Sequence, residues 1–131
     1  MEGLLRLLLR SLRLHPAHER SMRLLRANLT PCQLQQFETC GYFDVVGGET
    51  GRVYRIHRGE ARNIDERDGT DAWTYTWCFL PTGRLAEGDI LLAQKVALES
   101  FELEARAVGI RTSKPQRPNS SFYDFGRTSR P

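Results

Sequence analysis

The feature that most constrains this chain is a change of period at Gly41. Up to that point apolar residues recur at three- and four-residue intervals, the repeat of a helix with one buried face. From Tyr42 onward, in "YFDVV" and again in "RVYRIH", apolar and polar residues alternate, the repeat of a half-buried strand. A second switch back to helical spacing comes at Asp89. Helices, then strands, then a helix describe a segregated α+β fold, not alternating βαβ units.

The turn signals fill in the elements. "TPCQ" opens a helix with Thr30 as N-cap, Pro31 in the first turn and Gln33 completing a Thr-x-x-Gln capping box. Leu34 and Phe37 face inward and Gly41 stops the helix. Upstream, His15-Pro16 is expected to break the chain into a helix of about residues 4–14 and another of 17–29 carrying Met22, Leu25 and Leu29. Downstream, "GGETG" and "ERDGTD" separate the strands "YFDVV", "RVYRIH", "EARNID" and "AWTYTWCFL", and Pro81 ends the last. Consecutive strands with short polar turns imply an antiparallel meander.

"DILLAQKVALESFELEARAV" is the strongest helical pattern, with Asp89 as candidate N-cap and Gly109 as its end. Lys95, Glu99, Glu102 and Arg106 draw a narrow stripe expected to face solvent, opposite Ile90, Ala93, Ala97 and Phe101. The expected fold is therefore α+β: a three- to four-stranded antiparallel meander packed against a long C-terminal helix, with an α-helical N-terminal third.

At 131 residues, 40% hydrophobic and 27% charged, the chain has the composition of one soluble globular domain. Its net charge of +3 hides a strong partition. Residues 1–29 and 111–131 each carry a net +4, whereas residues 30–110 carry −5. The chain accordingly divides into a basic amphipathic helical extension (1–29), a compact domain (30–110) and a basic tail (111–131) whose Ser, Thr, Pro and Arg content predicts disorder. Three cysteines give no disulfide framework and point to a reducing compartment, the cytoplasm.

The two ends hold the candidate interaction residues. On a helical projection Leu4, Leu5, Leu8, Leu9 and Leu12 share one face and Arg6, Arg10 and Arg13 the other. Such a helix packs on the core, on a partner or on another copy of the chain, lies on a membrane surface, or serves as an organellar presequence. The longest apolar run, Leu7-Leu8-Leu9, is far too short to span a membrane. In the tail, Phe122, Tyr123 and Phe125 are aromatic residues in an otherwise polar segment, suited to docking on the core or on a protein. The alternative is sequence-independent nucleic-acid binding, with Arg6, Arg10, Arg13, Arg111, Lys114, Arg117, Arg127 and Arg130 on phosphates.

The middle segment tempts with "ETGRVYRIHRGEARNID", which has four arginines, a histidine and a Thr-Gly pair. It lacks the Gly-Lys-Ser/Thr ending of a phosphate loop and lies between strands, so a hairpin is the expected reading. Trp73, Tyr75, Trp77 and Phe79 form an aromatic ladder on one face, with Thr74, Thr76 and Cys78 on the other. Beside arginines such a ladder serves single-stranded nucleic acids, but on this alternation it is expected to be the core face. Cys32, Cys40, Cys78 and His57 lack the close ligand pairs of zinc sites, so no metal or other cofactor is expected. A Cys78/His57 pair oriented by Asp44 or Asp65 is the one conceivable catalytic set, and no local signature supports it.

Tyr54, Ile56, Gly59, Asn63, Ile64, Cys78, Phe79, Pro81, Asp89, Leu92, Ala93, Gln94, Lys95, Leu98 and Glu99 make up a pattern, YxI…G…N(I/V)…CFxP…DxxLAQKxxLE, spread over about residues 29–105. In this pattern the chain resembles small bacterial and phage-associated proteins. The resemblance implies a compact bacterial α+β unit with variable extensions and brings no activity with it. The expected function is a small non-catalytic interaction module acting through its ends.

Overall fold

The computed structural model describes residues 2–59, 61–70, 72–79 and 83–113, with the side chains of residues 2 and 7–15 outside that description. The elements follow the order α1 (Glu2–Ala27), α2 (Pro31–Cys40), β1 (Tyr42–Val46), β2 (Val53–His57), β3 (Ile64–Arg67), β4 (Trp73–Cys78), α3 (Glu87–Ser100), α4 (Glu102–Val108) and β5 (Ile110–Ser113). The strands form one antiparallel sheet in the order β1-β2-β3-β4-β5. The α+β class and the meander stand as expected. The sheet has five strands, not three or four, because Ile110–Ser113, assigned to the helix end and the tail, returns alongside β4.

The helical third also differs. Residues 2–27 are one helix with Pro16 inside it, not two helices parted at His15-Pro16. The restriction proline places on its predecessor is a bias, and apolar helical spacing on both sides prevails over it. α2 forms as read. The Thr30 hydroxyl accepts from the Gln33 N–H, the Gln33 side chain accepts from the Thr30 N–H, and Gly41 closes the helix at φ 75°.

The core lies on one face of the sheet. Phe43 and Val45 of β1, Tyr54 and Ile56 of β2, Ile64 of β3 and Trp77 of β4 meet Leu91 and Leu98 of α3. Met22, Leu25 and Leu29 bring the C-terminal part of α1 into the same cluster, and Phe37 brings α2. α1 approaches α3 very closely at Gly88, where a Cβ would collide with the backbone of Ser21. The Ser21 hydroxyl donates to the His18 carbonyl and accepts from the Gly88 N–H.

The long C-terminal helix is divided. α3 starts at Glu87 with Ala86 as N-cap, three residues before the expected cap Asp89, and the backbone leaves helical geometry at Phe101 (φ −138°, ψ 43°) before α4 begins. The expected solvent stripe is overturned, at Lys95 within α3 itself and at Glu102 and Arg106 by that break. Lys95 is only 9% exposed, Glu102 is fully buried and Arg106 is largely covered, while Phe101 and Leu103 are exposed. The sequence gives no hint of a break at Ser100-Phe101, so a single helical projection misplaces everything after it.

Candidate functional site

The densest polar cluster lies inside the fold. Glu102, the first residue of α4, turns its carboxylate back onto the β1–β2 turn. Oε1 accepts from the backbone N–H groups of Glu49 (3.0 Å) and Thr50 (2.7 Å), and Oε2 accepts from the Thr50 hydroxyl and from the Tyr54 hydroxyl (2.6 Å). The turn answers in kind, since the Glu49 carboxylate accepts from the Leu103 N–H at 2.7 Å and Gly48 N–H donates to the Leu98 carbonyl at 3.1 Å. Gly47 and Gly48 are required here because a side chain at either would strike Glu102 or the Glu99 backbone.

Glu66 of β3 continues the network and is also fully buried. Its Oε1 accepts from Arg52 (3.2 Å) and from Arg106, and its Oε2 accepts from the Trp77 indole N–H (3.2 Å). Arg106 also donates to the Tyr54 oxygen at 2.8 Å, joining the two carboxylates. Burial alone would raise the Glu102 carboxyl; the hydrogen bonds from Thr50 and Tyr54 and the backbone N–H groups outweigh it, and the group ionises below its usual range. Burial, reinforced by the Glu102 carboxylate, pushes the Tyr54 phenol up. Both carboxylate oxygens of Glu102 and of Glu66 are engaged, and both residues are fully buried. The arrangement suits a structural lock, not a general acid or base.

The opposite face of the sheet carries a different set. The Arg55 guanidinium grips Asp44 through two bonds of 2.9 and 3.1 Å and lies between the rings of Tyr42 (3.9 Å to the centroid) and Trp73 (4.6 Å). Arg67 covers Trp73 as well, at 4.6 Å. Burial works against ionisation of Asp44, but Arg55 and the Gln36 amide more than reverse that and hold its carboxyl low. Trp73 belongs here because of a β-bulge: the register slips between Glu66 and Arg67, so Tyr75 opposes Glu66 but Trp73 opposes Arg67. The expected four-residue ladder is thus split. Trp77 is buried on the core side and stacks on Phe79 (5.8 Å, 3° between planes), while Trp73 faces outward.

The catalytic and metal candidates assemble only in part. His57 Nε2 meets Asp65 at 3.0 Å, and the other Asp65 oxygen accepts from the Thr76 hydroxyl at 3.1 Å. Among the described residues Cys78 has no hydrogen bond to His57, so the pair of base and orienter forms without the nucleophile. No group of three or more His, Cys, Asp or Glu side chains suited to a metal occurs among the described residues. All three cysteines are free, Cys32 and Cys40 at the surface.

The interaction candidates divide as follows. Leu4 and Leu5 are 66% and 59% exposed, and Arg6 is exposed. Leu8, Leu9, Leu12, Arg10 and Arg13 are on the α1 backbone, but their side chains lie outside the described residues. Arg111 sits over the Tyr75 ring at 4.3 Å. Lys114, Arg117, Phe122, Tyr123, Phe125, Arg127 and Arg130 lie outside the described residues. The arginines of "ETGRVYRIHRGEARNID" are largely committed inside the protein: Arg52 to Glu66, Arg55 to Asp44, and Arg58 to Glu87 at 2.8 Å. Among the described residues no helix is long and apolar enough to cross a membrane.

Sequence reasoning missed Glu66, Glu102 and Arg106. On the sequence, Glu102 and Arg106, one helical turn apart, read as part of a solvent-facing stripe and not as a buried pair. Residues of the YxI…G…N(I/V)…CFxP…DxxLAQKxxLE pattern are mainly framework. Tyr54, Ile56, Ile64 and Leu98 are buried core, and Asn63 and Gln94 exchange two side-chain amide bonds of 2.8 and 3.1 Å. Comparison of the chain with protein-family models, with curated proteins and with solved structures gives no match.

Proposed function

We propose that this protein is a non-catalytic interaction module of the bacterial cytoplasm whose binding element is the N-terminal part of α1. One observation carries the reading. Residues 3–6 and residues 16–20 are exposed without interruption, and four or five consecutive residues at 100° each encircle a helix. Both stretches therefore present exposed side chains all round the helix. Beyond residue 20 the same helix is anchored by Met22 and Leu25 in the core. The result is an arm held at one end.

Leu4 and Leu5 start an apolar stripe that the sequence extends through Leu8, Leu9 and Leu12, with Arg6, Arg10 and Arg13 opposite. This suits helix-in-groove recognition, in which the leucines enter an apolar groove on a partner protein and the arginines stay in water. Burying a leucine stabilises by about 1.5–3 kcal/mol, so five contribute roughly 7–15 kcal/mol, comparable to the cost of association. Because the arm continues an anchored helix, its nucleation is already complete.

The test compares wild type with Leu4→Glu/Leu5→Glu in the parent cell by in vivo crosslinking. The reading expects an adduct of defined mass that the variant loses at equal abundance and equal urea midpoint. The same adducts from both proteins would defeat it.

A further inference from the structure

The residue after β4 and the two C-terminal helices line an apolar groove of about 230 Å³. Phe79 forms its floor, Ile90 and Ala97 of α3 one wall, Ala105 and Val108 of α4 the other, and Leu85 its lip. Gln94 is the one polar side chain lining it among the described residues, and the Gln94 amide is already exchanged with that of Asn63. A polar ligand therefore finds no handle here. Val108 is 81% exposed and Leu85 is exposed beside it, so the groove presents apolar surface that water covers poorly.

What fits it is close by in the chain. β5 leads away from the groove, from Gly109 packed against the Phe79 ring to Ser113 opposite Tyr75. Four residues of strand span about 13 Å. The eight residues 114–121 reach up to about 26–29 Å when extended, twice the distance back. Beyond them stand Phe122, Tyr123 and Phe125, which apart from prolines are the only apolar side chains of residues 114–131. Charge favours the same return, since residues 111–131 carry +4 and residues 30–110 carry −5. A tether of this length also holds the aromatics at a high effective concentration next to the groove.

We propose that this groove is the intramolecular docking site of the Phe122-Tyr123-Asp124-Phe125 segment. The aromatic rings fill the space between α3, α4 and Phe79, and the basic residues flanking them lie over the acidic domain. The proposal does not depend on the α1 arm, which is elsewhere on the molecule's sequence and uses other residues.

The experiment records amide NMR spectra of the full chain, of Phe122→Ser/Phe125→Ser, and of Val108→Asp, which changes an exposed position and leaves the core intact. The expected result is that Ile90, Ala97 and Ala105 shift in the tail variant, that Val108→Asp moves residues 122–125 to random-coil positions, and that tenfold dilution of wild type changes nothing. Superimposable wild-type and tail-variant spectra at the groove would overturn the proposal. So would shifts that vanish on dilution, which would assign the groove to the tail of a second copy.

Discussion

Glu102 decides more of this structure than any other residue. Its carboxylate gathers four donors from the β1–β2 turn and Tyr54, and it is fully buried. Removing it leaves the N–H groups of Glu49 and Thr50 without their acceptor and leaves the Tyr54 hydroxyl without the carboxylate it donates to. Glu102→Ala should cost about 3–5 kcal/mol, the usual consequence of breaking a buried charged network, read from the urea midpoint. Tyr54→Phe keeps the ring in the core and removes only the hydroxyl that links Glu102 to Arg106; about 1–3 kcal/mol is expected. The pH dependence follows from the lowered carboxyls of Glu102 and Asp44. A carboxyl that ionises more readily in the folded state stabilises fully above its unfolded value, near 4. That contribution is lost as pH falls through the lower folded value. Urea midpoints should be level above about pH 5 and drop steeply below 4, with a shallower drop in Glu102→Gln.

Among the elements, the close helix crossing and the α2 cap are the points where single changes act most clearly. Gly88 lets α3 start against the backbone of Ser21, and an added methyl forces α1 and α3 apart. Gly88→Ala should lose about 1–3 kcal/mol of stability, although alanine favours the helix itself. Thr30→Ala removes one half of the capping box and should cost about 1 kcal/mol. Both are measurable by chemical denaturation, and a Gly88→Ala protein as stable as wild type would contradict the tight crossing. The break at Phe101 is the element-scale feature with the largest consequences. It turns Glu102 and Arg106 inward and exposes Phe101 and Leu103 in their place.

For the molecule as a whole, the core and the proposed interaction arm occupy different places. Among the described residues the core joins the sheet, α2, α3, Ala105 of α4 and the C-terminal part of α1. Leu5→Glu should therefore shift unfolding free energy by no more than about 0.5 kcal/mol while abolishing partner capture. A large loss of stability instead would mean that the arm packs on the body. A single amphipathic pattern reads ambiguously along α1: the leucine stripe of residues 4–12 and the apolar residues 22–29 obey the same spacing, yet Met22, Leu25 and Leu29 enter the core while Leu4 and Leu5 are exposed.

The α+β class, the capping box of α2, the "GGETG" hairpin and the antiparallel order were all determined by the sequence alone. Each depends on local chemistry: a period, a capping hydroxyl, a glycine-rich reversal. Tertiary structure alone decided the fifth strand, the continuity of α1 through Pro16, the outward turn of Trp73 at its bulge, and the burial of Glu66 and Glu102. These depend on partners distant in the chain. A carboxylate is buried only when donors from other elements converge on it, and the residues supplying them, Thr50, Tyr54, Trp77 and Arg106, carry no mark in sequence of where they will meet.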